Sequence, residues 1–164
     1  MKMQFTYNIF LIGFMGSGKS TVADYLCEKF DMDVVEMDQV IAERERMSIS
    51  DIFEKHGELY FRDLETKLLV ELQEKTNTVV SCGGGVAMRE CNVTEMKKNG
   101  KVVLLTAKPE TILERVENNH DRPLLENNKT VAYIAELMEK RREKYEAAAD
   151  MIIETDGKSA QKIC

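Results

Sequence analysis

The sequence predicts a three-layer α/β/α domain built on a five-stranded parallel sheet, and three observations carry that prediction. Strand-like apolar runs alternate with helix-like stretches along the chain, the order that gives parallel strands with helices on both faces. The first apolar run leads straight into Gly13-Phe14-Met15-Gly16-Ser17-Gly18-Lys19-Ser20, of the form G-x-x-x-x-G-K-S, and a helical stretch follows it. The 164 residues suit about one domain and are enough to bury a core. The strands expected are 7–12, 33–36, 78–82, 101–106 and 151–154, with about six helices between and around them. Ligands in such a sheet sit beyond the C-terminal ends of the strands. No internal repeat or low-complexity linker interrupts the chain, so residues 1–164 are expected to form a single domain.

The turn after the first strand carries the strongest chemical signal. Successive backbone N–H groups in such a turn point inward and make a concave anion site, and the following helix adds its positive N-terminal end. Gly13, Gly16 and Gly18 let a phosphate come close. Lys19 is placed to neutralise the β- and γ-phosphates and the Ser20 hydroxyl to ligate Mg²⁺. Gly13, Gly16, Ser17, Gly18, Lys19, Ser20 and Thr21 are therefore the candidate contacts of a nucleoside triphosphate. The loop by itself does not name the group that receives the phosphate.

Composition narrows the remaining possibilities. Hydrophobic residues make up 43% of the chain and charged ones 32%, ordinary values for a globular protein. A net charge of −6 argues against a non-specific nucleic-acid binder, which needs basic surface. The four cysteines, Cys27, Cys82, Cys91 and Cys164, form no C-x-x-C pair, and His56 and His120 are the two histidines. A zinc site is not expected, and the cysteines read as free thiols. The early apolar run, Ile9-Phe10-Leu11-Ile12, is too short for a signal sequence or a membrane span. A cytoplasmic protein is the expectation, with neither a nucleic acid nor a membrane as partner.

The second strand ends at Glu36-Met37-Asp38. Two carboxylates at this spacing either face one cleft or simply decorate a helix N-terminus, which favours acids. Residues 47–75 follow as a long helical region, with Phe61, Leu64, Leu68 and Leu72 as its apolar stripe. Arg62, beside the stripe, either pairs at the surface with Glu58 or Glu65 or serves a site. The third strand runs into Gly83-Gly84-Gly85, where backbone approaches a ligand closely or merely turns. Ser81 could reach the water shell of a metal, and Cys82 reads as a buried strand cysteine.

After the fourth strand, Pro109 suits the first turn of a helix running through Arg115. Residues 118–129, rich in Asn and containing Arg122, read either as a lid over a phosphate site or as a surface connection. The last helix, about 130–147, carries Ile134, Leu137 and Tyr145 on one face, and Arg141 falls on that same face. A guanidinium there needs a ligand or a buried partner. Lys140, Arg142 and Lys144 read as surface charge, and His56 and His120 as surface or packing residues.

Taken together, Gly13 to Ser20, Glu36-Met37-Asp38, Tyr60-Phe61-Arg62, Gly83-Gly84-Gly85, Arg122-Pro123-Leu124-Leu125 and Lys140-Arg141 resemble the shikimate kinases, over nearly the whole chain. The resemblance implies the three-layer P-loop kinase fold with a lid at about 118–129 and an acceptor-binding helical region at about 37–75. It implies ATP-dependent phosphorylation of the 3-hydroxyl of shikimate in aromatic amino-acid biosynthesis, with ATP and Mg²⁺ as cofactors and the chain acting as a monomer. Lys19, Asp38 and Arg122 would be catalytic, with Asp38 also holding the hydroxyls of shikimate. Arg62 and Arg141 would clamp its carboxylate, and Gly83, Gly84 and Gly85 would approach it through backbone. Arg115 and Arg122 would contact the nucleotide, and Ser20 and Glu36 would serve the metal. Two features depart from the family. It commonly has Asp-x-Asp where this chain has Glu36-Met37-Asp38, and relatives carry a further helix after the adenine-binding loop where only residues 155–164 remain here. Another small-molecule kinase of this fold, such as a gluconate kinase, and an ATP-binding regulator without an acceptor are the competing readings.

Overall fold

The computed structural model describes residues 5–14, 17–116 and 131–156. Five strands form one sheet: β1 (Asn8–Ile12), β2 (Asp33–Glu36), β3 (Thr78–Ser81), β4 (Gly100–Thr106) and β5 (Met151–Glu154). Their order across the sheet is β2-β3-β1-β4-β5, and every neighbouring pair is parallel. The predicted fold class stands. The strands also stand where the sequence placed them, to within one residue at the start of β1, the end of β3 and the start of β4. β1 begins at Asn8 for a physical reason. The buried Asn8 side chain donates to the carbonyls of Leu72 (3.3 Å) and Lys75 (3.0 Å) and accepts from the Thr78 amide at 3.3 Å, tying the strand to the start of β3.

Seven α-helices lie among the described residues: α1 (Lys19–Phe30), α2 (Met37–Glu45), α3 (Ile49–His56), α4 (Glu58–Glu71), α5 (Glu90–Lys98), α6 (Pro109–Val116) and α7 (Val131–Ala148). The long helical region expected at 47–75 is thus two helices and a short 3₁₀ turn at Leu72–Glu74. Ser48 starts α3 by accepting from the Asp51 amide at 3.1 Å. Gly57 ends it at φ 89°, a backbone conformation that costs a residue with a side chain, and α4 starts at the next residue.

Alternate residues of the buried strands feed two cores. Phe10, Ile12, Val80, Val102 and Leu104 pack on one face against α2 to α5 and α7. Leu11, Val79 and Leu105 pack on the other against Val22, Ala23 and Leu26 of α1. A third, smaller core of Phe14, Ala107, Ile112 and Ile134 fixes α6 and α7 beyond the C-terminal end of β4. These cores hold the ends of β1, β2 and β3, and the turns that follow them, around one cleft.

Candidate active site

The cleft has a volume of about 730 Å³ and opens at the C-terminal strand ends, lined by Gly18, Lys19, Ser20, Thr21, Glu36, Asp38, Ser81, Gly83, Gly84 and Arg115 among others. The phosphate loop forms its floor. Gly13 has φ 145°, and a Cβ there would lie 2.4 Å from the Leu105 carbonyl oxygen, so only glycine fits. Gly18, at φ 106°, stands at the N-terminus of α1, where no side chain caps the helix. The first-turn amides of α1 are thereby left facing the cleft, which suits an anion. Lys19 bends back over the loop, its Nζ donating to the carbonyls of Gly13 (2.6 Å) and Phe14 (3.4 Å). Gly16 lies outside the described residues, as do residues 118–129 with Arg122 and His120, and Cys164.

Ser20 and Glu36 meet across the cleft floor, the Ser20 hydroxyl donating to Glu36 Oε2 at 3.1 Å. A hydroxyl and a carboxylate are hard oxygen donors of the kind Mg²⁺ takes. No group of three or more His, Cys, Asp or Glu residues able to cage an ion exists among the described residues. The pair therefore fits an ion held mostly by phosphate oxygens and water, with Ser20 and Glu36 at its edge.

A second group of side chains gathers around the glycine triplet. Asp38, in the first turn of α2, and Glu65, on α4, converge on Gly83: a Cβ there would sit 3.0 Å from Asp38 Oδ1 and 2.6 Å from Glu65 Oε2. Arg62 lies against Gly85, where a Cβ would fall 2.4 Å from its Nη1. Its guanidinium stands 5.4 Å from the ring centre of Phe61 and 5.9 Å from that of Phe53. Arg141 reaches the same triplet from α7, its Nη1 donating to the Gly84 carbonyl at 3.2 Å, with its guanidinium 5.7 Å from the Phe14 ring centre. Two arginines almost 80 residues apart in sequence thus flank three consecutive glycines.

Arg62 does pair with Glu65, as one sequence alternative had it, but not at the surface. Its Nη1 donates to Glu65 Oε1 at 2.9 Å, and Glu65 is fully buried. Burial pushes the Glu65 carboxyl up to about 7, against the pull of Arg62 and with a further push from Asp38. Glu65 Oε2 has no hydrogen-bond partner among the described residues. The signal for this residue was present in the sequence: Phe61, Glu65, Leu68 and Leu72 all lie on the buried face of α4 and its 3₁₀ extension, at spacings of four, three and four, whereas Leu64 is only half-buried.

Arg115, which also lines the cleft, donates to Thr155 Oγ1 (3.3 Å) and to the Thr155 carbonyl (3.4 Å). The Thr155 hydroxyl in turn donates to the Ser17 carbonyl at 2.8 Å and to that of Thr106 at 3.1 Å. Thr155 is buried and locks the phosphate loop to the segment after β5, a role that a lone threonine in a polar stretch does not announce. Burial raises the Cys82 thiol well above its ordinary value, which fits an inert cysteine at the end of β3 and not a nucleophile. His56 stacks on Tyr60 with ring centres 4.3 Å apart, a packing role.

A family model described as "Shikimate kinase" matches residues 15–164. The chain belongs to the shikimate kinase family. It is 46% identical to a shikimate kinase of Persephonella marina over 156 residues, covering 95% of this chain and 93% of that protein. A shikimate kinase of a Sulfurihydrogenibium species is 45% identical, with coverage of 95% and 92%. Among solved structures, a shikimate kinase from Acinetobacter baumannii in complex with shikimate superposes with a TM-score of 0.90 at 34% identity, covering 95% of this chain and 87% of that one. A gluconokinase from Sinorhizobium meliloti reaches a TM-score of 0.60 at 17% identity, a likeness of fold alone. Membership in the shikimate kinase family makes this chain an enzyme, an ATP-dependent kinase of shikimate, as the resemblance implied. No helix among the described residues is long and apolar enough to cross a membrane.

Proposed function

We propose that this shikimate kinase holds its acceptor at the glycine triplet and its nucleotide on the phosphate loop, with the two meeting above Ser20 and Asp38. The observation that carries the assignment is the convergence of Arg62, Arg141 and Asp38 on Gly83, Gly84 and Gly85. A guanidinium pair suits a carboxylate, which it can grip by two parallel hydrogen bonds. Arg62 and Arg141 take the carboxylate of shikimate, and Asp38 accepts from its ring hydroxyls. The 3-hydroxyl oxygen forms a bond to the γ-phosphorus, the bond from that phosphorus to the β–γ bridging oxygen breaks, and the hydroxyl proton passes to Asp38. ADP leaves with the electron pair of the broken bond.

Lys19 meets the β- and γ-phosphates as the first-turn amides of α1 do, so charge that develops in transfer is met by groups already in place. Ser20 directly, and Glu36 through water, would hold Mg²⁺, which when bound neutralises phosphate charge. Arg115 and Thr155 wall the adenine side. Arg122 and the lid at 118–129 keep the part that the sequence gives them, meeting the transferred phosphoryl group and excluding water. Residues 1–164 act as one domain, with 37–75 as its acceptor-binding region, and the enzyme works as a cytoplasmic monomer. A coupled assay of ADP release tests the proposal: release should depend on shikimate and on Mg²⁺, with gluconate unable to replace shikimate. Release that is independent of shikimate would overturn it.

A further inference from the structure

Tyr145 belongs to the apolar face of α7 by pattern and is only 5% exposed, yet its hydroxyl does not face apolar groups. It donates a short hydrogen bond to the Gly84 carbonyl and accepts one from Arg141 Nη1 at 3.5 Å. Arg141 Nη1 donates to the same Gly84 carbonyl at 3.2 Å. The three groups close a triangle whose corners are the helix α7, the guanidinium and the backbone of the glycine triplet. Residues 141 and 145 are one turn apart, so the helix itself sets their spacing.

An arginine has many rotamers, and ordering it on ligand binding costs affinity. Here the ordering is done beforehand: the Phe14 ring lies against the guanidinium, and one of its terminal nitrogens is tied to Gly84 and Tyr145. We propose that Tyr145 is a positioning residue for the acceptor, whose hydroxyl fastens Arg141 to the Gly84 carbonyl so that the guanidinium meets the acceptor carboxylate already in place. This rests on the reading of Arg141 as a carboxylate ligand. Burial raises the Tyr145 phenol above its ordinary value, against the pull of Arg141, so the hydroxyl keeps the proton it donates.

Tyr145→Phe tests the inference, because it removes the hydroxyl and leaves the ring in its core. The KM for shikimate should rise roughly 3- to 10-fold, the order expected when one such side chain is no longer pre-ordered. The kcat at saturation and the KM for ATP should stay within about twofold of wild type, a split that a general loss of stability does not produce. Combining Tyr145→Phe with Arg141→Ala should add nothing to the effect of Arg141→Ala alone. A carboxamide analogue of shikimate should show little difference between wild type and Tyr145→Phe. ADP affinity and Tm check that the variants fold. If Arg141→Ala weakens shikimate and Tyr145→Phe leaves both KM values unchanged, or raises both alike, the role given to Tyr145 is wrong and that of Arg141 survives. If Arg141→Ala leaves shikimate binding unchanged, the reading of Arg141 fails, and this inference with it.

Discussion

Glu65 shows how one side chain ties the cluster around the glycine triplet to the stability of the fold. Its carboxyl titrates at about 7 in the folded protein against an ordinary 4.5, mainly because it is buried. Below the ordinary value both folded and unfolded chains hold the proton and nothing is lost. Between 4.5 and 7 the unfolded chain ionises while the folded one keeps its proton, so stability falls as pH rises, and above 7 the loss is complete. The rise from the ordinary 4.5 to about 7 corresponds to roughly 3 kcal/mol at most. Glu65→Gln lacks this titration. Urea unfolding at pH 5 and pH 8 should show the variant gaining on wild type between the two; a constant difference would mean that Glu65 is already ionised at pH 5. Lys19 is the other decisive residue. Lys19→Ala should cost at least ~100-fold in kcat, since it removes charge set where charge develops, and should leave shikimate binding in the absence of nucleotide intact. Wild-type turnover in that variant would remove the phosphate loop from the mechanism.

The turn after β3 is the element around which Asp38, Glu65, Arg62 and Arg141 gather. A Cβ on Gly85 would meet the Arg62 guanidinium at 2.4 to 2.7 Å, but Gly85 itself has φ −99°, which alanine adopts freely. The guanidinium is the end of a flexible chain and can swing away. Gly85 is buried and the displaced guanidinium is the partner of the buried Glu65, so Gly85→Ala should lower the thermal midpoint by several degrees while the protein still folds. The displaced guanidinium should raise the KM for shikimate on the order of tenfold or more, since small misplacements of a clamp cost heavily. An unchanged KM with the variant folded would detach Arg62 from the acceptor. The elements themselves were largely legible in the sequence. The strands could be read because fully buried parallel strands are continuous apolar runs, Phe10 to Ile12 among them, all three buried. The break at Gly57 was not read, because the apolar spacing continues through it and only the backbone angle shows that one helix has ended.

At the scale of the whole molecule, one end of the sheet gathers chemistry that the sequence spreads over more than 100 residues, from Gly13 to Thr155. The phosphate loop was legible because its turn needs glycine at fixed offsets and a helix directly after it. Glu36, Asp38 and the glycine triplet were legible as strand-end groups, and in the structure Glu36, Asp38, Gly83 and Gly84 line one cleft. Tyr145 and Thr155 were not legible, because each looks ordinary in its own stretch, and the signal for Glu65, its place on the buried face of α4, was missed. Glu65 could pass for a surface partner of Arg62, Tyr145 for a core aromatic and Thr155 for a loop residue. Their roles exist only where α4 and α7 meet the glycine triplet and the segment after β5 meets the phosphate loop.

The central claim is that Arg62 and Arg141 together hold the acceptor by its carboxylate. Calorimetric titration of shikimate and of ADP into wild type, Arg62→Ala and Arg141→Ala tests it most directly. Each variant should lose roughly 2–5 kcal/mol of shikimate binding, part of it from leaving the acid with an unpaired oxygen, while ADP affinity stays near that of wild type. Variants that lose ADP and keep shikimate would contradict the account, since the arginines would then serve the nucleotide and the acceptor would bind elsewhere.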